Sequence, residues 1–263
     1  FSIRDSLINE TMGRNDFRFY PLSHQDLHVL SWVTPYVKIW SLVSALELIA
    51  TIILGCKVIE LVKKKRTSAS LILMGTLLFL FTSSSASNYF QFIYSERFLT
   101  FLLALYAYHY SIYLNSGQLK NGRLALLFAL FIPFFKDVAI LLSVIPAITT
   151  IAAGALGAVP GRPKWGAIRP LSWMHSYALE IAIISLAPFF LASFAILSAL
   201  PSLAAGVQRY DAHLGFSALS LDIRLIFFLG FIAFRIWLAG RGGAVVTALD
   251  GLNLAALAYG FAL

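Results

Sequence analysis

The sequence predicts an all-α fold, a polytopic transmembrane helical bundle preceded by an extracytoplasmic loop that carries a short interfacial helix. Three observations predict it. Hydrophobic residues make up 59% of the 263-residue chain, charged residues only 12%, and the mean hydropathy is +0.81, far from the balance of a water-soluble domain. The apolar residues gather in windows of roughly 20, the length a helix needs to cross about 30 Å of hydrocarbon. Between the first two windows stand Lys63, Lys64, Lys65 and Arg66. Cytoplasmic loops carry the excess of lysine and arginine, so this turn is expected inside and the segment 1–36 outside.

The elements follow in order. In the polar segment 1–36, Pro21 breaks the chain, and Ser23, His24, Gln25 and Asp26 have the spacing of a capping box that opens a helix through Leu27, Leu30 and Trp32. Trp32, Tyr36 and Trp40 then mark the headgroup level. Spans are expected near 37–62, 69–87, 96–115, 138–159, 174–200, 223–240 and 244–263. The apolar piece 124–135 is about a dozen residues and crosses only with tilt, bilayer thinning or a partner helix. Counted as a crossing, it makes about eight membrane helices and alternates the loops, with 63–66, 120–123, 162–169 and Arg241 inside and 89–95, 136–137 and 201–222 outside. Each inside loop is basic, which supports the threading without moving a boundary. Residues 37–263 read as one transmembrane domain, and the polar opening with an apolar end reads as part of a longer protein that lacks an upstream membrane helix.

Composition also excludes function classes. The net charge of +8 sits in short loops, where topology and anionic headgroups account for it, so no nucleic-acid partner is expected. Cys56 is the single cysteine, too few for a disulfide framework or a thiolate metal site within this chain. His24 and His28 are four apart but lack the glutamate of an H-E-x-x-H motif, so no metal is expected.

Asp5, Glu10 and Asp16 are the acids of the first external segment, and a carboxylate there can act as general base on a hydroxyl acceptor. A solvated ion pair with Arg14 or Arg18 is the plainer account of Asp16. Asp26, two residues from His24, is accounted for by the capping box. Glu96 suits a helix N-terminus, but Arg97 opposes the dipole and needs a compensating anion, whether Glu96, a lipid headgroup or a substrate phosphate. Lys136 and Asp137 interrupt the apolar run FIPFFKDVAILL, where charges are functional candidates unless they pair with each other or snorkel. Glu47 and Glu180 are lone acids inside spans, candidates for an ion path. Glu60 is expected to pair with Lys57 and Lys64, Arg235 to snorkel, and Tyr106, Tyr108, Tyr110 and Tyr113 to form an aromatic belt.

The stretches NDFRFYPLSHQDLHVLSW, SERFLTFLLALY and FFKDVAILL, spread over roughly 13–150, resemble bacterial GT-C glycosyltransferases. The resemblance implies sugar transfer from a polyprenyl-phosphate donor to a glycan, lipid or protein acceptor at the outer face of the bacterial inner membrane. It implies a base among Asp16, Glu10 and Asp5, and Arg97, Lys136, Arg14 and Arg18 as the cations that hold the departing phosphate. His24, Asp26, Glu96 and Asp137 complete its polar site, the lipid-linked donor is a substrate, and no cofactor is implied. The family's first membrane helix has no counterpart here. Two other classes fit the same residues: a transporter or lipid flippase that uses Glu47 and Glu180, and a noncatalytic membrane subunit that packs through its small-residue-rich final spans.

Overall fold

The computed structural model describes residues 17–82, 85, 89, 96–159, 161–166, 169–206, 223–241 and 245–262, and no strand occurs among them. Their helices are α1 (Gln25–Val33), α2 (Val37–Lys63), α3 (Ala69–Leu80), α4 (Glu96–Ser116), α5 (Leu119–Phe135), α6 (Ile140–Ala155), α7 (Pro170–Ser176), α8 (Ala178–Phe194), α9 (Leu200–Ala204), α10 (Ile223–Gly240) and α11 (Ala248–Ala262). A 3-10 turn, Asp137–Ala139, leads into α6, and a π turn, Ala195–Ala199, joins α8 to α9. Among the described residues three continuous runs are long and apolar enough to cross a membrane: Val37–Lys63, Asp137–Ala155 and Ala178–Ala204. Two apolar helices, Ala69–Leu80 and Ile226–Gly240, are shorter. Leu42, Leu46, Ile49 and Ile53 of α2 are exposed, as suits a helix whose outer surface meets hydrocarbon.

The chain divides into two compact units, Phe1–Asp137 and Val138–Leu263. In the first, α4 packs against both α2 and α5. The buried residues of α2 are Ser44, Thr51 and Val58, spaced so that each returns to nearly the same face of the helix. Glu47 lies close to that stripe. Tyr106 and Tyr110 of α4 are fully buried and stack at 5.5 Å between ring centroids, so these two expected belt residues belong to the core instead. Their spacing of four places both rings on one helix face, and the face they occupy turns inward.

Three local expectations are corrected. Helix α5 starts at Leu119, so Lys120 and Arg123 stand in its first turns rather than in a loop; both residue types favour helix. The capping box of α1 does not form, because His24, at the N-cap, adopts a left-handed conformation with φ 65 and no side chain caps the helix. The segment is held by tertiary contacts. Leu22 N–H donates to Phe134 O at 3.0 Å, and Phe19 meets Phe134 edge-on at 5.9 Å. These contacts dock the entry of α1 on the C-terminal end of α5. Glu60 likewise leaves its expected lysine partners and accepts from Thr67 N–H at 3.2 Å, bracing the turn after α2.

In the second unit α6 is the centre, packed on α11 and α8. Gly251 of α11 lies against Pro146 of α6 so closely that a Cβ at Gly251 would stand 2.9 Å from Pro146 Cα. That neighbour is backbone and cannot swing aside. Gly251→Ala is therefore expected to part the two helices and cost about 1–3 kcal/mol, read as a lower unfolding midpoint in detergent; an unchanged midpoint would show that the contact is not tight.

Candidate functional site

Seven charged side chains of the first unit, Arg18, Asp26, Glu47, Glu96, Arg97, Lys136 and Asp137, form a series, or ladder, of ion pairs. Arg97 enters on the first turn of α4 and is 2% exposed. Its Nη2 donates to Oδ2 of Asp26, the second residue of α1, and its Nε faces Glu47 Oε2 of α2 at 2.7 Å. Next along α4, Glu96 accepts from Lys136 Nζ at 2.6 Å. Next to Lys136, Asp137 faces Arg18 Nη1 at 3.5 Å. The chain neighbours Glu96 and Arg97, and Lys136 and Asp137, thus link the ion pairs end to end.

Each partner arrives for a local reason. Docking of residues 19–22 on α5 fixes where α1 begins and so carries Asp26 over the start of α4. Glu47 stands ten residues into α2, about 15 Å along its axis, on the side that α4 covers. A guanidinium suits the junction because its planar fork offers separate N–H donors to two carboxylates at once. Near this junction Ser44 Oγ donates to Tyr89 O at 3.0 Å. Burial pushes the Tyr89 phenol above its ordinary range, so it stays protonated.

The ladder is graded in both charge and access. Asp26 and Glu47 share one guanidinium, so that among the described residues two carboxylates face one cation at the buried end. Toward the surface Lys136 is 24% exposed and Arg18 is 45% exposed. The buried end can exchange a proton on a carboxylate; the outer end can meet an anion from solvent or from a headgroup.

The sequence candidates fall into three groups. Arg97, Lys136, Arg18, Asp26, Glu96 and Asp137 come together in the ladder. Asp5, Glu10, Arg14 and Asp16 lie outside the described residues. His24 is the N-cap residue of α1 and takes no part in an ion pair among the described residues. Of the anions offered for Arg97, Glu96 is not the one it meets: its carboxylates are Asp26 and Glu47, while Lys136 pairs with Glu96 and Asp137 with Arg18. No group of three or more side chains able to hold a metal ion occurs among the described residues. Sequence reasoning placed Glu47 on an ion path and Asp26 in a capping box, whereas both meet Arg97. An acid and a guanidinium each placed in apolar surroundings are themselves a signal for one another.

Among the described residues the second unit holds two polar clusters of its own. Glu180 of α8 is fully buried and pairs with Arg162 Nη2 at 3.0 Å. Arg162 also lies 5.2 Å from the ring centroid of Tyr177, whose hydroxyl donates to Pro163 O at 3.2 Å. Arg235 of α10, rather than snorkelling, holds Asp250 of α11 with Nε at 2.8 Å and Nη2 at 2.9 Å. Thr247 N–H and Oγ1 also donate to Asp250 Oδ2.

No family model matches this chain, and neither a curated protein nor a solved structure matches it.

Proposed function

We propose that this chain is a polytopic protein of the bacterial inner membrane, threaded with 63–66 in the cytoplasm and 1–36 outside, and that it transfers a sugar from a polyprenyl-phosphate donor to an acceptor at the outer face. The observation that carries the reading is the meeting of Asp26, from the segment ahead of the first long helix, with Arg97 of α4, one residue from the pair of Glu96 and Lys136. Transfer of this kind needs a carboxylate to take the acceptor proton and cations to meet the charge growing on the departing phosphate.

In this reading Arg97, being buried between two acids, is a positioning residue. It neutralises one of Asp26 and Glu47 and leaves the other able to accept a proton. Lys136 and Arg18, the more accessible cations, receive the donor phosphate in exchange for Glu96 and Asp137. Asp26→Asn keeps the shape and removes the base, and is expected to lower transfer in proteoliposomes at least about 100-fold. A variant that folds and transfers at the wild-type rate would remove Asp26 from the reaction and, with it, this reading.

The placement of Glu47 in the first membrane-length helix favours one other reading, an ion-coupled transporter that loads its proton at the junction with Arg97. Glu47→Gln separates the two. Loss of pH-driven flux with sugar transfer absent in the wild type would select the transporter.

A further inference from the structure

A cavity of about 600 Å³ opens in the second unit between α6, α10 and α11. It lies far along the chain from the ladder of the first unit and serves none of the roles proposed for it. Its size falls in the range of small-ligand sites, which are mostly apolar with a few placed polar groups.

The walls indicate where a ligand comes from. Ile148, Leu156, Phe231 and Ile236 line the cavity and are also exposed. In a membrane these side chains meet acyl chains, so the cavity communicates with hydrocarbon and admits a lipid-soluble molecule. The polar groups indicate what the ligand carries. Asn253 lines the cavity and its amide makes no hydrogen bond among the described residues. Arg235 also lines it, with Nε and Nη2 committed to Asp250 and Val245 O, so that of its guanidinium nitrogens Nη1 alone has no bond among the described residues.

Charge narrows the class further. The guanidinium of Arg235 is already balanced by the bidentate carboxylate of Asp250, which is itself saturated by Thr247. A second anion here would be buried without a counter-charge, which is costly in apolar surroundings. A neutral head with hydroxyl and carbonyl groups meets the amide of Asn253 as both donor and acceptor, and takes the remaining N–H of Arg235. We infer that this cavity binds a single-chain neutral amphiphile, its hydroxylated head on Asn253 and Arg235 and its hydrocarbon chain along α6 and α10.

The test uses the full chain in detergent and a monoacylglycerol bearing a diazirine on its chain. Crosslinking is expected to saturate and to map to the peptides holding 148–156 and 253. Asn253→Leu, close in volume and half-buried, removes the head contact and is expected to weaken saturable labelling about fivefold. Ala152→Trp fills the cavity and is expected to abolish it. The matching fatty acid, assayed at about pH 10 so that its carboxyl stays ionised even in a micelle, is expected to compete at least about tenfold more weakly. Labelling that never saturates, that spreads over all helices, or that persists undiminished in folded Asn253→Leu overturns the site. A fatty acid that competes as well as the neutral lipid overturns the assignment of an uncharged head. Should Ala152→Trp fail to fold, the Asn253 variant alone decides.

Discussion

Arg97→Met is expected to destabilise the protein by about 3–5 kcal/mol, because removing one partner of a buried ion pair strands the other without compensation. Here two carboxylates are stranded at once, Asp26 and Glu47, both largely buried and both aimed at the same guanidinium. With side chains only 12% and 11% exposed, neither rehydrates fully while the packing of α4 on α2 holds. The effect is one of uncompensated charge rather than of lost attraction, and a second experiment separates the two. In Arg97→Met combined with Asp26→Asn and Glu47→Gln no charge remains, and most of the lost stability is expected to return. Arg97→Lys should fall between, since one ammonium nitrogen cannot serve positions that Arg97 reaches with Nη2 and Nε separately. Denaturant titration in micelles, followed by tryptophan fluorescence, reads all three. If Arg97→Met keeps wild-type stability, the ladder does not hold the first unit together.

The same cluster shows what was legible beforehand and what was not. The long helices are legible because an apolar run of membrane length carries its own signal, and α2 starts at Val37 and ends at Lys63, within a residue of the apolar window. The need of Arg97 for an anion was also legible, from its place at a helix N-terminus. Its partners were not, for they are set by tertiary docking: Asp26 is separated from Arg97 by 71 residues and reaches it only because 19–22 lie on the end of α5. No periodicity encodes that contact.

Local rules then gave a competing answer for Asp26, the capping box. The magnitudes decide between them. A side-chain cap contributes about 1 kcal/mol, whereas a buried guanidinium left without its carboxylate costs about 3–5 kcal/mol. The carboxylate goes to the arginine, and α1 begins uncapped at a left-handed His24. A similar competition moves Tyr106 and Tyr110 inward, because the amphipathic ring that suits a headgroup belt also buries a large apolar area in a helix interface.

In the second unit the expected outcome is asymmetric, and the asymmetry follows from burial. Glu180 is fully enclosed at 0% exposure, while Arg162 is 14% exposed and comes from the loop that follows α6. The Oε2 atom of Glu180 is buried and accepts no hydrogen bond, so the carboxyl depends on Arg162 for most of its compensation. Arg162→Met is therefore expected to cost about 3 kcal/mol. Glu180→Gln preserves volume and leaves an arginine that can turn toward water, so its cost is expected near 1 kcal/mol. The double variant should lie closer to Glu180→Gln than to the sum, with a coupling of about 1–3 kcal/mol in the double-mutant cycle. Arg162 also braces the ring of Tyr177, and a Cβ on Gly154 would stand 2.0 Å from that hydroxyl, so the ring has little room to follow a displaced loop. Equal losses in the two single variants would mean that packing of the arginine stem on Tyr177, rather than the buried charge of Glu180, sets the strength of this contact.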